Sequence, residues 1–169
     1  MTFDPEERAQ RAMTYFREGY NCTQSVVLAF SDFCEGKGVN KEALASLTSG
    51  FGGGMARMRE VCGTVSGMTF LAGLISPATD PSIRDERTAN YKLVQEFAQR
   101  FREQNGSIVC RDLLQMKASS TIEGPQPSER TEAFYKARPC ERLIGCAAMI
   151  VAEYLKQQSA TFPPSSQMA

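Results

Sequence analysis

The sequence contains no histidine. That absence removes the commonest general base and the usual partner of a catalytic cysteine or serine. It also excludes Cys/His zinc fingers and a Cys-x-x-Cys-His haem attachment. Net charge is lacking too, since 19 basic residues balance 19 acidic ones. A balanced surface has no counterion-release drive toward nucleic acid and no polybasic attraction to an anionic membrane. No apolar run approaches the roughly 20 residues needed to span a bilayer. The opening MTFDPEERAQRAM is acidic and then polar, unlike a secretory signal. These absences predict a cytoplasmic protein with no nucleic-acid partner and no membrane insertion.

What is present is a helical pattern. The 169 residues, 42% hydrophobic, suffice for one domain with its own core. Pro5 after Asp4 reads as a capped helix start, with Ala9, Ala12, Met13, Phe16 and Tyr20 at helical spacing. Asn21 and Gln24 form a capping-box pair opening a second helix that runs to Gly36. Asn40 caps a short helix through Leu47, and an apolar helix covers Glu60 to Leu74. Asp80-Pro81 starts an amphipathic helix to Gln104, with Tyr91, Val94, Phe97, Ala98 and Phe101 on one face. Ser107 caps IVCRDLLQM, a polar loop covers 118–133, and Arg138-Pro139 opens the last helix. No period-2 strand and no repeat interrupts the pattern. The expectation is an all-α single compact bundle of about five to seven helices over residues 1–157, followed by a disordered tail at 158–169.

Six cysteines lie at 22, 34, 62, 110, 140 and 146, with no Cys-x-x-Cys pair. Cys22, Cys62, Cys110 and Cys140 each fall in the first turn of a predicted helix. Unpaired N–H groups and the helix dipole there favour thiolate, which is both nucleophile and metal ligand. The alternative for each is a small buried hydrophobe. Cys34 shares the Val26/Phe30 face, and Cys146 lies about 120° around a helix from Cys140, so both are assigned to packing.

The stretch GFGGGMARMREVCGTVSG at 50–67 concentrates glycine around Cys62. It lacks the Lys and Ser/Thr of a phosphate-binding P-loop, and no strand precedes it. The N–H groups of Gly52, Gly53 and Gly54, beside Arg57 and Arg59, are a candidate anion cup. Gly63, Gly67 and Gly73 each cost a helix about 1 kcal/mol against alanine, which close approach of a backbone or cofactor would offset.

CGTVSG at 62–67, with NCTQSVVLAF around Cys22, GSIVCRDLL around Cys110 and RPCERLIGCAAMIVAEYL around Cys140, resembles the redox-active proteins named for their cysteine pattern, C_GCAxxG_C_C. The likeness extends over roughly residues 8 to 157, with Thr64 in place of the family's alanine. The resemblance implies a helical domain, a redox role and Cys22, Cys62, Cys110 and Cys140 as the functional set. Related domains occur in split-Soret-type cytochromes, where an iron–sulfur centre accompanies haem; haem does not carry over without a ligand or attachment motif. An iron–sulfur cluster, most naturally the 2Fe-2S type, is therefore expected on the four cysteines, for electron transfer or redox sensing. The alternatives are a cofactor-free thiol/disulfide protein, a zinc site, and a helical anion-binding module with inert cysteines. The redox partner is unspecified, and a homodimer is compatible with the sequence.

Overall fold

A computed structural model describes residues 3–117 and 123–161. Its helices are α1 (Pro5–Arg17), α2 (Cys22–Leu28), α3 (Ser31–Glu35), α4 (Lys41–Leu47), α5 (Gly63–Ile75), α6 (Arg84–Asn105), α7 (Cys110–Leu113), α8 (Glu132–Lys136) and α9 (Cys140–Thr161), with a 3₁₀ turn at Ser49–Phe51. The protein is all-α. Among the described residues there is no strand, only an isolated antiparallel bridge between Val61 and Val109. Among the described residues α3, α7 and α8 are short separate turns beside the expected longer helices. No described helix is long and apolar enough to cross a membrane. Helix α9 continues through Thr161, into the segment read as tail; residues 162–169 lie outside the described residues.

Local chemistry explains most helix starts. The Asp4 carboxylate accepts from Glu7 N–H at 2.9 Å, and Pro5 needs no partner at the first helical position. Asn21 and Gln24 form the full reciprocal box, at 2.9 and 3.0 Å. Asn40 accepts from Ala43 N–H at 2.8 Å. Gly106, at φ +88°, closes α6 in the left-handed conformation that glycine adopts cheaply.

Four boundaries or faces differ from the sequence reading. The second helix breaks at Ala29–Phe30, and the freed Ala29 carbonyl accepts instead from Arg8 at 2.7 Å. Helix α5 starts at Gly63 rather than Glu60, because the Glu60 carbonyl is taken by Cys110 N–H at 2.6 Å. Asp80 holds Ser82 in a turn, so α6 begins only at Arg84. Tyr91 is 60% exposed, and the buried face of α6 is Leu93, Phe97 and Phe101.

The core forms where α1 lies along α9 and α2 crosses α5, with α6 closing the far side. Phe30, Phe97, Phe101, Met68, Leu71, Ile144 and Ile150 are almost wholly buried there. Gly67 permits the α2–α5 crossing, since a Cβ would sit 2.9 Å from Val26 Cβ. Gly73 has open space around it, so the close approach expected there is not made.

Arg8 is buried inside this core, between the rings of Phe3 and Phe30. It grips Asp32 with two bonds, at 2.6 and 2.7 Å. Hydrogen bonding from Arg8 holds the Asp32 carboxyl below the ordinary carboxylate range, against the opposing effect of partial burial. A depressed folded-state value means this stabilisation is complete above the unfolded carboxyl value of about 4. It is lost as pH falls through the lower folded value. Asp32→Asn is therefore expected to lower stability at neutral pH and to flatten the acid limb of a urea-midpoint-versus-pH curve. An unchanged acid limb would contradict this account.

Candidate functional site

The glycine stretch is a left-handed turn. Gly53, Gly54, Met55, Ala56, Arg57 and Arg59 all have φ between +46° and +70°. For the non-glycine residues this conformation costs about 1–2 kcal/mol each. It persists because the turn is tied at both ends. Inside it, Ala56 N–H reaches Gly50 O at 2.9 Å, while Arg59 and Glu60 N–H reach Gly53 and Gly54 O at 3.1 Å. Outside it, Arg57 and Arg59 share the carboxylate of Glu123, and Arg57 also donates to Gly124 O and Ser128 Oγ. Arg57 is thus committed to the 123–128 segment. Gly52 packs on Asn21, where a Cβ would approach Asn21 Cβ to 2.6 Å, seating the turn on the α2 cap.

That seating gathers sulfur. Cys22 is the first residue of α2, Cys62 the N-cap of α5, Cys110 the first residue of α7 and Cys140 the first of α9. All four line one cavity of about 340 Å³, together with Gly52, Gly53, Arg57, Arg59 and Thr64. The Val61–Val109 bridge joins two of the segments: Cys62 N–H donates to Ile108 O at 2.8 Å, and Cys110 N–H to Glu60 O at 2.6 Å. A Cβ on Gly63 would lie 2.6 Å from Cys22 Sγ and 2.7 Å from Thr23 Oγ1. On Gly54 it would lie 2.7 Å from both Cys110 Cβ and Glu60 N. Thr64, the departure from the family motif, places Oγ1 3.1 Å from Cys62 Sγ.

Burial governs the thiols more than the helix starts do. It pushes Cys62 and Cys140 up to about 12 and raises Cys110. The sequence expectation of lowered thiol values is therefore reversed, because desolvation of the thiolate outweighs the helix start. Cys22 adds repulsion to each of the other three, so the sulfurs feel one another. At Cys110 the opposing influence is Arg59, whose Nη1 lies 3.9 Å from the sulfur; Arg138 acts on both Cys110 and Cys140. Partial burial pushes the Glu123 carboxyl up, but hydrogen bonding from Arg59 and nearby guanidinium charge hold it below the ordinary range.

Among the described residues no three Cys, Asp or Glu side chains gather closely enough for a single metal ion, and all six cysteines are free thiols. Cys34 is enclosed in the core, where burial pushes its thiol up to about 12. Cys146 is half-buried between Asn105 and Gln104, each at 3.2 Å, outside the four-cysteine cavity. Sequence reasoning missed Arg130, Arg138 and Glu123 as neighbours of the site. The one available signal was Arg138, two residues before Cys140; Glu123 and Arg130 sit in a polar loop that nothing local connects to the thiols.

The fold and cavity define an all-α protein that presents four cysteines, from four separate helix starts, to one cavity. The chain belongs to the family described as "Putative redox-active protein (C_GCAxxG_C_C)", whose model matches residues 20–154. No curated protein and no solved structure matches it.

Proposed function

We propose that Cys22, Cys62, Cys110 and Cys140 hold an iron–sulfur cluster of the 2Fe-2S type, and that this chain serves electron transfer or redox sensing in the cytoplasm. The observation carrying the reading is that four cysteines from distant segments line one cavity. Four thiolates are the ligand set of such a cluster. Gly54 and Gly63 let the backbone pass close to the sulfurs, since a Cβ there would meet Cys110 Cβ at 2.7 Å and Cys22 Sγ at 2.6 Å. When bound, the cluster supplies one-electron oxidation and reduction.

The protein's own residues set the conditions. Arg59 donates toward the Cys110 sulfur, and Arg138 adds positive charge beside Cys110 and Cys140. Both would favour the more negative, reduced state and raise the potential. Leu113, Leu114 and Leu143 give the same space an apolar wall. Thiols raised by burial hold their protons, so ligation would release protons, and metal affinity would rise with pH. Those same raised values weigh against cofactor-free thiol exchange, which needs thiolate.

The test is anaerobic purification and reconstitution, with iron and sulfide assayed and the visible spectrum recorded. Stoichiometric iron and sulfide with charge-transfer absorption are expected. A colourless, iron-free protein after reconstitution would sink the proposal.

A further inference from the structure

Guanidinium groups crowd the cavity beyond what the carboxylates can pair. Arg57, Arg59, Arg130 and Arg138 line it, and no Asp or Glu does. One carboxylate, Glu123, serves both Arg57 and Arg59. Arg130 and Arg138 have no ion pair among the described residues, and the segments outside them, 1–2, 118–122 and 162–169, contain no Asp or Glu. These two cations nevertheless sit on the same ring: each guanidinium lies 4.7 Å from the Phe134 centroid. They are therefore within two such lengths of one another, where like charges repel; Arg130 also donates to Tyr20 O at 3.4 Å and lies over the Phe16 ring. Deeper in, Arg59 is 6% exposed and its Nε has no hydrogen-bond partner. A buried, unpartnered guanidinium N–H is costly to leave unsatisfied. Exposure falls from Arg130 through Arg138 to Arg59, tracing a cationic path from the surface to the sulfurs.

We infer that this cavity is also a binding site for a small organic anion, a carboxylate or phosphate held by Arg130, Arg138 and Arg59 with an apolar body against Leu113 and Leu143. Guanidinium forks suit both head groups, which share planar or tetrahedral oxygens able to accept two parallel N–H bonds. Arg57 is not part of this set, because its donors are spent on Glu123, Gly124 and Ser128, whereas Arg59, though paired with Glu123, keeps Nε unpartnered. The inference deepens the proposed redox site by naming the ligand class that would meet it, and rests on that reading only for the ligand's relevance to redox chemistry.

Isothermal titration of the full chain, both metal-free and reconstituted, tests it with phenyl phosphate and benzoate against the uncharged benzyl alcohol and benzamide. Both anions are expected to bind in a salt-sensitive manner, with the neutral analogues weaker by about tenfold or more, the loss expected for a charge-assisted hydrogen bond. Arg138→Gln and Arg130→Gln should each weaken anion binding similarly, while Arg102→Gln, on exposed α6 surface, should not. Should either site variant fail to fold, the comparison of anions with neutral analogues and the salt dependence in the wild-type protein decide the matter. Equal binding of charged and neutral probes, or undiminished binding in both folded site variants, overturns the inference. Iron and sulfide assayed on the same samples separate the two failures: anion binding without iron sinks the cluster alone, and iron without anion binding sinks this inference alone.

Discussion

Cys62→Ser is expected to abolish stoichiometric iron and sulfide binding after anaerobic reconstitution, while Cys146→Ser retains wild-type levels. Cys62 is enclosed, its sulfur beside Thr64 and within the electrostatic reach of Cys22 and Cys110. Serine at that position offers a harder, less readily ionised oxygen, and no neighbouring side chain replaces the lost sulfur. Even outer-shell partners of metal ligands are worth about 10–100-fold in affinity, so loss of a ligand should cost at least that. Cys146 is bonded to Asn105 and Gln104 at the edge of α9, away from the cavity. Its replacement should disturb packing only modestly. Equal iron retention in the two variants, measured alongside the visible spectrum, would contradict the assignment of the site.

Gly54→Ala is expected to be the most damaging glycine replacement. The residue has φ +70°, and its new Cβ would meet the backbone nitrogen of Glu60 at 2.7 Å and the carbonyl carbon of Arg59 at 2.9 Å. Neither atom belongs to a flexible side chain that can swing away. Left-handed strain of about 1–2 kcal/mol and overpacking of about 1–3 kcal/mol together predict a loss of about 2–5 kcal/mol. The turn would have to shift, taking the Cys110 side chain with it. Gly73→Ala provides the contrast, because nothing lies within 4 Å of its Cβ position and φ is ordinary. There, alanine should stabilise α5 by up to about 1 kcal/mol. Urea unfolding of both variants at matched slope distinguishes these outcomes, and similar midpoints would refute the steric argument.

The features visible in the sequence were those governed by neighbours in the chain. Asp4, Asn21 and Asn40 cap helices as read, because a side-chain oxygen and an N–H three residues on need no distant partner. The placement of cysteines at helix starts was likewise local, with Cys62 shifted to the cap itself. What escaped reading depended on remote groups. The α2–α3 break needs Arg8 to accept the duty of bonding Ala29, twenty-one residues away. Asp80 is a local exception, since it looked like a cap but bonds Ser82 two residues on. The left-handed turn was hidden because Met55, Ala56, Arg57 and Arg59 do not ordinarily adopt it. The distant anchors at Glu123, Gly124 and Ser128 help make it tenable. Thiol electrostatics escaped for the same reason, since burial is a property of the assembled fold.

The bridge between Val61 and Val109 carries one further consequence. Cys62 and Cys110 each follow a paired residue, so their faces are set by the same alternation. Side chains along paired extended segments point to opposite faces in turn, and a slip of one residue reverses them all. Inserting or deleting a single residue between Arg59 and Cys62, or between Ser107 and Cys110, would turn one sulfur away from the other. Length in these two short segments is therefore a strict requirement, because each holds only two residues and one of them is the bridging valine.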